Sequence, residues 1–312
     1  MRTDDLLANG RDYLCYVGME TDLIFTQGID LPGFASFPLL ETKEGRDLLR
    51  GYIAAQIEAA RRAGFGAVIE TPTWIANPDR AAQIGYRSDQ IAGINAHAVE
   101  FTRACCEEAG NVPVVLSCNI GPRDDAYAPS EQMTVETARK YHMLQVQAAA
   151  QAGADVASAF TIAYSNEAAG IVRAAGECGI PAVVSFTVET DGRLPSGETF
   201  GDAVACVDAL SDGYPAYYLI NCAHPDHLSQ LFDGLEPDDR LAGLVVNASR
   251  CSHAELDESE ELDDGDPAEL GAQMGRFASD NPHFRVFGGC CGTDQRHMRE
   301  IAANVRRARG RS

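Results

Sequence analysis

Short apolar runs rich in β-branched residues recur along the chain. Each is followed by a longer stretch whose apolar positions repeat at helical spacing. The runs at 13–18, 67–70, 113–118, 155–160, 182–186, 216–221, 241–246 and 284–287 are predicted strands. The stretches 44–63, 88–109, 130–152, 165–178, 199–210, 224–232, 268–277 and 293–309 are predicted helices; in the first, Leu48, Leu49, Ile53, Ile57 and Ala60 share a face. Helices end at Gly64, Gly153 and Gly179 just before the next strand, where glycine takes the left-handed cap that turns the chain back. Eight strands alternating with eight helices predict an α/β fold, a closed (β/α)8 TIM barrel rather than an open doubly wound sheet. No Gly-x-Gly-x-x-Gly follows a strand, which weighs against a dinucleotide-binding fold. A length of 312 residues suits one such barrel, so 1–312 is read as a single domain.

Charge narrows the partners. The formal net charge is −21, and so acidic a surface repels phosphate backbones and anionic lipid. Nucleic acid and membrane partners are not expected. The arginines near the end, Arg306, Arg307, Arg309 and Arg311, complement the last helix dipole. The densest acidic stretch, 255–266, reads as a solvated loop. No run of about 18 apolar residues is present, and the N-terminus lacks the apolar centre of a signal peptide. A cytoplasmic protein is expected, with a homo-oligomer compatible but not indicated. The ten cysteines then read as reduced thiols, not a disulfide framework.

In such barrels chemistry sits on the loops at the C-terminal strand ends. The sixth predicted strand ends in Asn221-Cys222-Ala223-His224, and the last in Gly288-Gly289-Cys290-Cys291-Gly292-Thr293-Asp294. A barrel brings both ends to one face, so three distant thiols can converge. Thiolates suit zinc, with bonds of about 2.3 Å, and three protein ligands leave a fourth position open. Glycines around Cys290 and Cys291 permit the unusual backbone that adjacent ligands need, and Thr293 or Asp294 can cap the last helix. Spacing alone leaves alternatives: a vicinal disulfide, buried thiols beside a phosphate-binding Gly-Gly turn, or inert cysteines. His224, His227, Cys251 and His253 offer another Cys/His metal set. Cys118 ends the third strand and can line the pocket, whereas Cys105 and Cys106 read as helix packing.

These motifs resemble those of the homocysteine S-methyltransferase family. Asn221-Cys222, with Pro225 shortly after, resembles its Asn-Cys motif, and Gly288–Thr293 its Gly-Gly-Cys-Cys motif. The likeness covers nearly the whole chain. Gly18-Met19-Glu20-Thr21-Asp22-Leu23, Thr71-Pro72-Thr73-Trp74 and Ile120-Gly121-Pro122 resemble further family segments. The resemblance implies zinc held by Cys222, Cys290 and Cys291. It implies transfer of a methyl group from a small donor to homocysteine or a related thiol, a step of methionine biosynthesis. S-methylmethionine, S-adenosylmethionine or a betaine-like compound would serve as donor, since the chain is too short to add folate and cobalamin domains. A lyase or hydrolase acting on a non-thiol substrate, and a thiol redox sensor or metal store, are the other classes.

The chain also departs from the family. Tyr16 and Val17 stand where the family has an Asp before its glycines. Phe160 replaces the Glu of its fourth strand, which helps hold the amino group of homocysteine, and Val245-Val246-Asn247 replaces its Tyr-Pro-Asn. Metal ligands are intact while amino-acid readers are altered. Glu20, Asp22 and Glu70 are the carboxylates expected to take over, with Thr21, Thr73 and Thr161 as neighbouring contacts. Trp74 either packs at the barrel rim or faces a donor cation, and Asn221, like Asn247, is a candidate for orienting the loop beside it.

Overall fold

A computed structural model describes residues 9–232, 240–259 and 261–311. Eight parallel strands close a barrel in sequential order, β1 through β8, with β1 pairing to both β2 and β8. The strands are β1 Tyr13–Leu14, β2 Gly66–Glu70, β3 Val114–Ile120, β4 Val156–Ile162, β5 Ala182–Thr187, β6 Tyr217–Asn221, β7 Leu241–Val246 and β8 Val286–Gly289. The ring of helices is α1 Lys43–Ala63, α2 Ile91–Glu108, α3 Val135–Gln151, α4 Ser165–Cys178, α5 Phe200–Ser211, α6 Pro225–Phe232, α7 Pro267–Asp280 and α8 Gln295–Ala308. This is the (β/α)8 barrel that the periodicity predicts.

Alternation along the strands sorts side chains into two cores. Tyr13, Val68, Val115, Val156, Val183 and Tyr217 fill the barrel interior. Leu14, Ile69, Leu116, Val184, Tyr218 and Phe287 face the helices. The same parity corrects the expectation for Cys118. It points outward among Leu116 and Ile120 and does not line the pocket; burial pushes its thiol up to about 12. Cys105 and Cys106 sit in α2 against this outer core, as expected. Gly64 and Gly179 end α1 and α4 at φ of 73° and 67°.

Two elements differ from the pattern. The first strand is shorter than 13–18, because after Tyr16 the chain turns into a short helix, Met19–Thr21, and a π-helical turn, Asp22–Thr26. Helix α3 begins at Val135 rather than near 130, because the Thr134 side chain accepts from the Thr137 N–H and caps it there. The residues released lengthen the β3–α3 loop, which reaches over the barrel mouth. Among the described residues no helix is long and apolar enough to cross a membrane.

The arginines near the end do more than complement a dipole. Buried Asp12 accepts from Arg309 at 3.3 Å and Arg311 at 3.1 Å, with Arg285 at 3.7 Å. Arg309 also donates to the carbonyl of Ala278 at 2.6 Å. These contacts bolt the segment after α8 to the N-terminal mouth, opposite the site.

Candidate functional site

The C-terminal ends of β6 and β8 bring Cys222, Cys290 and Cys291 together. The Sγ of Cys222 lies 2.7 Å from that of Cys290 and 3.7 Å from that of Cys291, and all three sulfurs fall within 4.8 Å of one another. Sulfurs sharing a tetrahedral zinc with bonds of about 2.3 Å stand roughly 3.8 Å apart. The Cys222–Cys291 edge has that length, and the Cys222–Cys290 edge is shorter. A soft, convergent set of three thiols, two buried and one half-buried, fits a zinc ion. Among the described residues no other group of three or more His, Cys, Asp or Glu converges in this way. The alternative set therefore does not assemble. His227 bonds the carbonyl of Arg250, Cys251 is exposed, and His224 accepts from the Asp226 N–H with its pKa pressed down to about 4 by burial.

Backbone strain shapes this floor. Cys222 has φ of 57° and Thr161 has φ of 62°, both left-handed and unusual for residues with a Cβ. Thr161 is also where the β4–β5 register shifts. One side chain joins the two. Asn221 accepts from the Thr161 N–H at 3.1 Å and from the Ser185 hydroxyl at 2.7 Å, and its amide donates to Thr161 Oγ1 at 2.8 Å. The bulge residue and the cysteine turn are thus held by one buried amide, which costs less than leaving the Thr161 N–H unpaired.

Glycines serve the cysteine pair by close approach more than by unusual φ. A Cβ on Gly289 would lie 2.3 Å from the Thr293 hydroxyl, and only Gly292, at φ of 76°, is left-handed in this turn. Thr293 donates to the Cys290 carbonyl at 2.7 Å and accepts from the Gly18 N–H at 3.1 Å. Asp294, not Thr293, caps α8, accepting from the N–H groups of Arg296 and His297.

Electrostatics within the trio are asymmetric. Hydrogen bonds from Cys290 and Cys291 hold the Cys222 thiol well below its ordinary range, while Cys222 lifts the other two. Around it stand Tyr127, which no sequence motif marks, and His253, which the sequence offered only as a member of the alternative metal set. The Tyr127 hydroxyl lies 3.1 Å from Cys222 Sγ, and its ring stacks on His253 with centroids 3.9 Å apart. His253 meets the Cys222 carbonyl at 2.7 Å through Nε2 and Glu189 at 3.1 Å through Nδ1. Burial alone would lower the His253 pKa, but Glu189 and Cys222 carry it above the ordinary value. Tyr127 sits in the β3–α3 loop with no motif to mark it; its only signal is an aromatic between Asp124-Asp125 and Ser130.

Above the sulfurs opens a cavity of about 390 Å³. Glu20, Thr21, Trp74, Thr161 and Asn247 line it, as expected. Asp22, Glu70, Thr73 and Asn221 do not. Asp22 turns outward to the Tyr52 hydroxyl. Glu70 points into the barrel, where Cys15 lies 4.0 Å away and burial lifts its pKa to about 8. Thr73 is spent on the carbonyl of Asn119 at 2.8 Å, and Asn221 lies beneath the cysteine turn. Trp74 donates to the Phe160 carbonyl at 3.1 Å, and a face of its ring is covered by Arg80 at 5.5 Å. That face carries the chain's own cation. Phe160 turns inward and lines the cavity, so no carboxylate stands at that position. Glu20 supplies one instead. It is buried, bonded to the Tyr16 and Ser36 hydroxyls, the latter at 2.8 Å, and burial raises its pKa to about 7 against the pull of Ser36. The acidic stretch is also more than a solvated loop: Glu261, Leu262 and Asp263 line the cavity, while residue 260 lies outside the described residues.

Comparison with known proteins agrees with this geometry. The family model described as Homocysteine S-methyltransferase matches residues 18–305. A methionine synthase of Mycobacterium leprae (strain TN) is 33% identical over 136 residues, covering 41% of this chain and 10% of that protein. Homocysteine S-methyltransferase 3 of Arabidopsis thaliana is 24% identical over 238 residues, 72% of this chain and 66% of its own length. The chain thus spans a tenth of the first relative and about two thirds of the second. Among solved structures, the homocysteine methyltransferase MmuM from Escherichia coli has the same fold. Its metallated form gives a TM-score of 0.69 at 23% identity over 97% of this chain and 99% of that one. Its oxidized form gives 0.69 at 22% identity over 96% and 97%.

Proposed function

Because the chain belongs to the homocysteine S-methyltransferase family, we propose that it transfers a methyl group from a small sulfonium or ammonium donor to homocysteine or a closely related thiol, with one zinc held by Cys222, Cys290 and Cys291. The observation that carries this reading is the meeting of three sulfurs from two distant strand ends at the floor of one cavity. Bound zinc would keep an incoming thiol, with an ordinary pKa of about 8.5, in its nucleophilic thiolate form at neutral pH. A metallated form of the Escherichia coli homocysteine methyltransferase, which shares this fold, supports the choice of a metal site.

The chain's own residues orient the reactants. The acceptor sulfur attacks the methyl carbon in line. A carbon–sulfur bond forms as the donor's carbon–heteroatom bond breaks, and its electron pair stays on the donor, which becomes neutral. Rate then depends on alignment within the cavity. Thr161 and Asn247 border the path, and Phe160 and Trp74 keep it dry. Glu20 takes the ammonium-reading role that family members give to acids absent here at Tyr16 and Phe160. Its carboxylate is held by two hydroxyls and ionises readily beside a cation. A carboxylate in the same cavity weakens the hydrolase or lyase reading.

The test is direct. The zinc-loaded chain is incubated with homocysteine and methyl-deuterated S-methylmethionine, S-adenosylmethionine or betaine, and methionine is analysed by mass spectrometry. Label should appear in methionine with at least one donor. Absence of transfer from all donors to homocysteine and to a panel of other thiols would end the proposal.

A further inference from the structure

We propose that Arg80, laid on Trp74 at the cavity wall, binds a carboxylate carried by one of the two reactants. The inference rests on the methyl-transfer reading for the identity of the reactants, but on its own observations for the charge they bear.

Arg80 sits in the short helix Pro78–Gln83, whose N-cap Asn77 accepts from the Arg80 N–H at 2.9 Å. Its backbone is therefore fixed. Its guanidinium stands 5.5 Å from the centroid of the Trp74 ring, and Nη1 donates to the carbonyl of Asp124 at 3.1 Å. Among the described residues lining the cavity it is the one lysine or arginine. No carboxylate of a described residue stands within ion-pair reach of it.

The two acids that act on it, Asp124 and the cavity-lining Asp125, each spend one oxygen on the loop backbone. Asp124 takes the N–H of Ser130 at 2.8 Å and the Ser130 hydroxyl. Asp125 accepts from the N–H groups of Tyr127 at 2.7 Å and Ala128 at 2.9 Å. Both carboxylates thereby shape the β3–α3 loop. The guanidinium is half-buried, and burial lowers its pKa despite these neighbours. A cation withdrawn from water with donors to spare is costly unless a partner arrives. An arginine fork pre-positioned by an aromatic face matches a carboxylate bidentately, which an ammonium cannot do.

The cavity then offers a division of labour. Cysteine sulfurs lie at its floor, a carboxylate at Glu20 on the β1 side, and a guanidinium at Arg80 on the β2 side. The Tyr127 phenol lies near both Arg80 and Cys222, whereas Glu20 lies near Cys291. This arrangement suits a zwitterionic amino-acid reactant better than a simple alkyl thiol or sulfonium.

Calorimetric titration of the full chain tests this without turnover. The acceptor arm compares homocysteine and 4-mercaptobutyrate, which carry a carboxylate, with 3-mercaptopropylamine, which does not. The donor arm compares S-methylmethionine with its decarboxylated counterpart, (3-aminopropyl)dimethylsulfonium. In one arm the carboxylate-bearing ligand should bind roughly 10- to 100-fold more tightly, and that arm identifies the reactant. Arg80→Met should abolish the gap while leaving the decarboxylated ligand's affinity unchanged, and Arg80→Lys should restore only part of it. Far-UV circular dichroism verifies folding of both variants. Absence of a gap in both arms, persistence of the gap in Arg80→Met, or equal losses for both ligands would overturn the inference. Failure of methyl transfer with a binding gap intact would instead remove the catalytic reading alone.

Discussion

Asn221 touches neither the cavity nor solvent, yet it ties Thr161 and the cysteine turn together through one amide. Asn221→Ala leaves the Thr161 N–H buried and unpaired. It should cost about 1–3 kcal/mol in urea unfolding and weaken zinc retention, measured by competition with a chromogenic chelator. Cys291 has the opposite profile. Its side chain is partly exposed at the cavity, at the edge of the inner core. Cys291→Ala should lower bound zinc from about one per chain to a small fraction by mass spectrometry and remove methyl transfer, with the unfolding midpoint of the metal-free chain nearly unchanged. Stoichiometric zinc in that variant would exclude the proposed ligand set. The three cysteines were legible in the chain because their motifs are local. Tyr127 was not, and His253 was legible only as a possible ligand, since their relation to Cys222 exists only where two loops from different strands fold over the same turn.

At the scale of elements, the turn from β8 into α8 works because three backbones approach more closely than side chains allow. Gly289→Ala would drive a methyl group against Thr293, the residue that also anchors Gly18 and the Cys290 carbonyl. The expected destabilisation is about 1–3 kcal/mol, with a shift of the Cys290 sulfur that lowers zinc affinity. Urea unfolding together with a zinc titration of the variant checks both. Thr134 offers a contrast. Its cap shortens α3 and hands the preceding residues to the loop that carries Tyr127. The helical pattern around 130 was visible, but the competition between cap and helix was decided by a single hydroxyl.

For the molecule as a whole, buried carboxylates and net charge govern the response to solution conditions. Glu70 is lifted from 4.5 to about 8 by burial inside the barrel. The folded chain therefore holds a proton there that the unfolded chain releases. Its contribution to stability is fully present below about pH 4.5 and is lost as pH rises through 8. Glu70→Gln should remove this loss, flattening the stability profile between pH 5 and 9 and gaining on the order of 2–4 kcal/mol at its upper end. Urea midpoints across that range decide it; parallel profiles for the two proteins would exclude the effect. A net charge of −21 also implies self-repulsion in the folded state. Raising sodium chloride from low to molar concentration should raise the melting temperature in a thermal scan, most steeply at the low end where screening changes fastest.

By itself the sequence determined the barrel, because inward and outward alternation and helical spacing are properties of neighbouring residues. It also determined which sulfurs could meet, because the barrel sends every strand end to one face. Which polar groups look into the cavity was decided only in three dimensions. Strand parity turned Cys118 outward, a helical turn swung Asp22 to Tyr52, and Glu70 was left inside the barrel while Glu20 took the wall. Arg80 entered on a short helix pinned by Asn77. Such choices depend on distances between segments far apart in the chain, which local patterns do not encode.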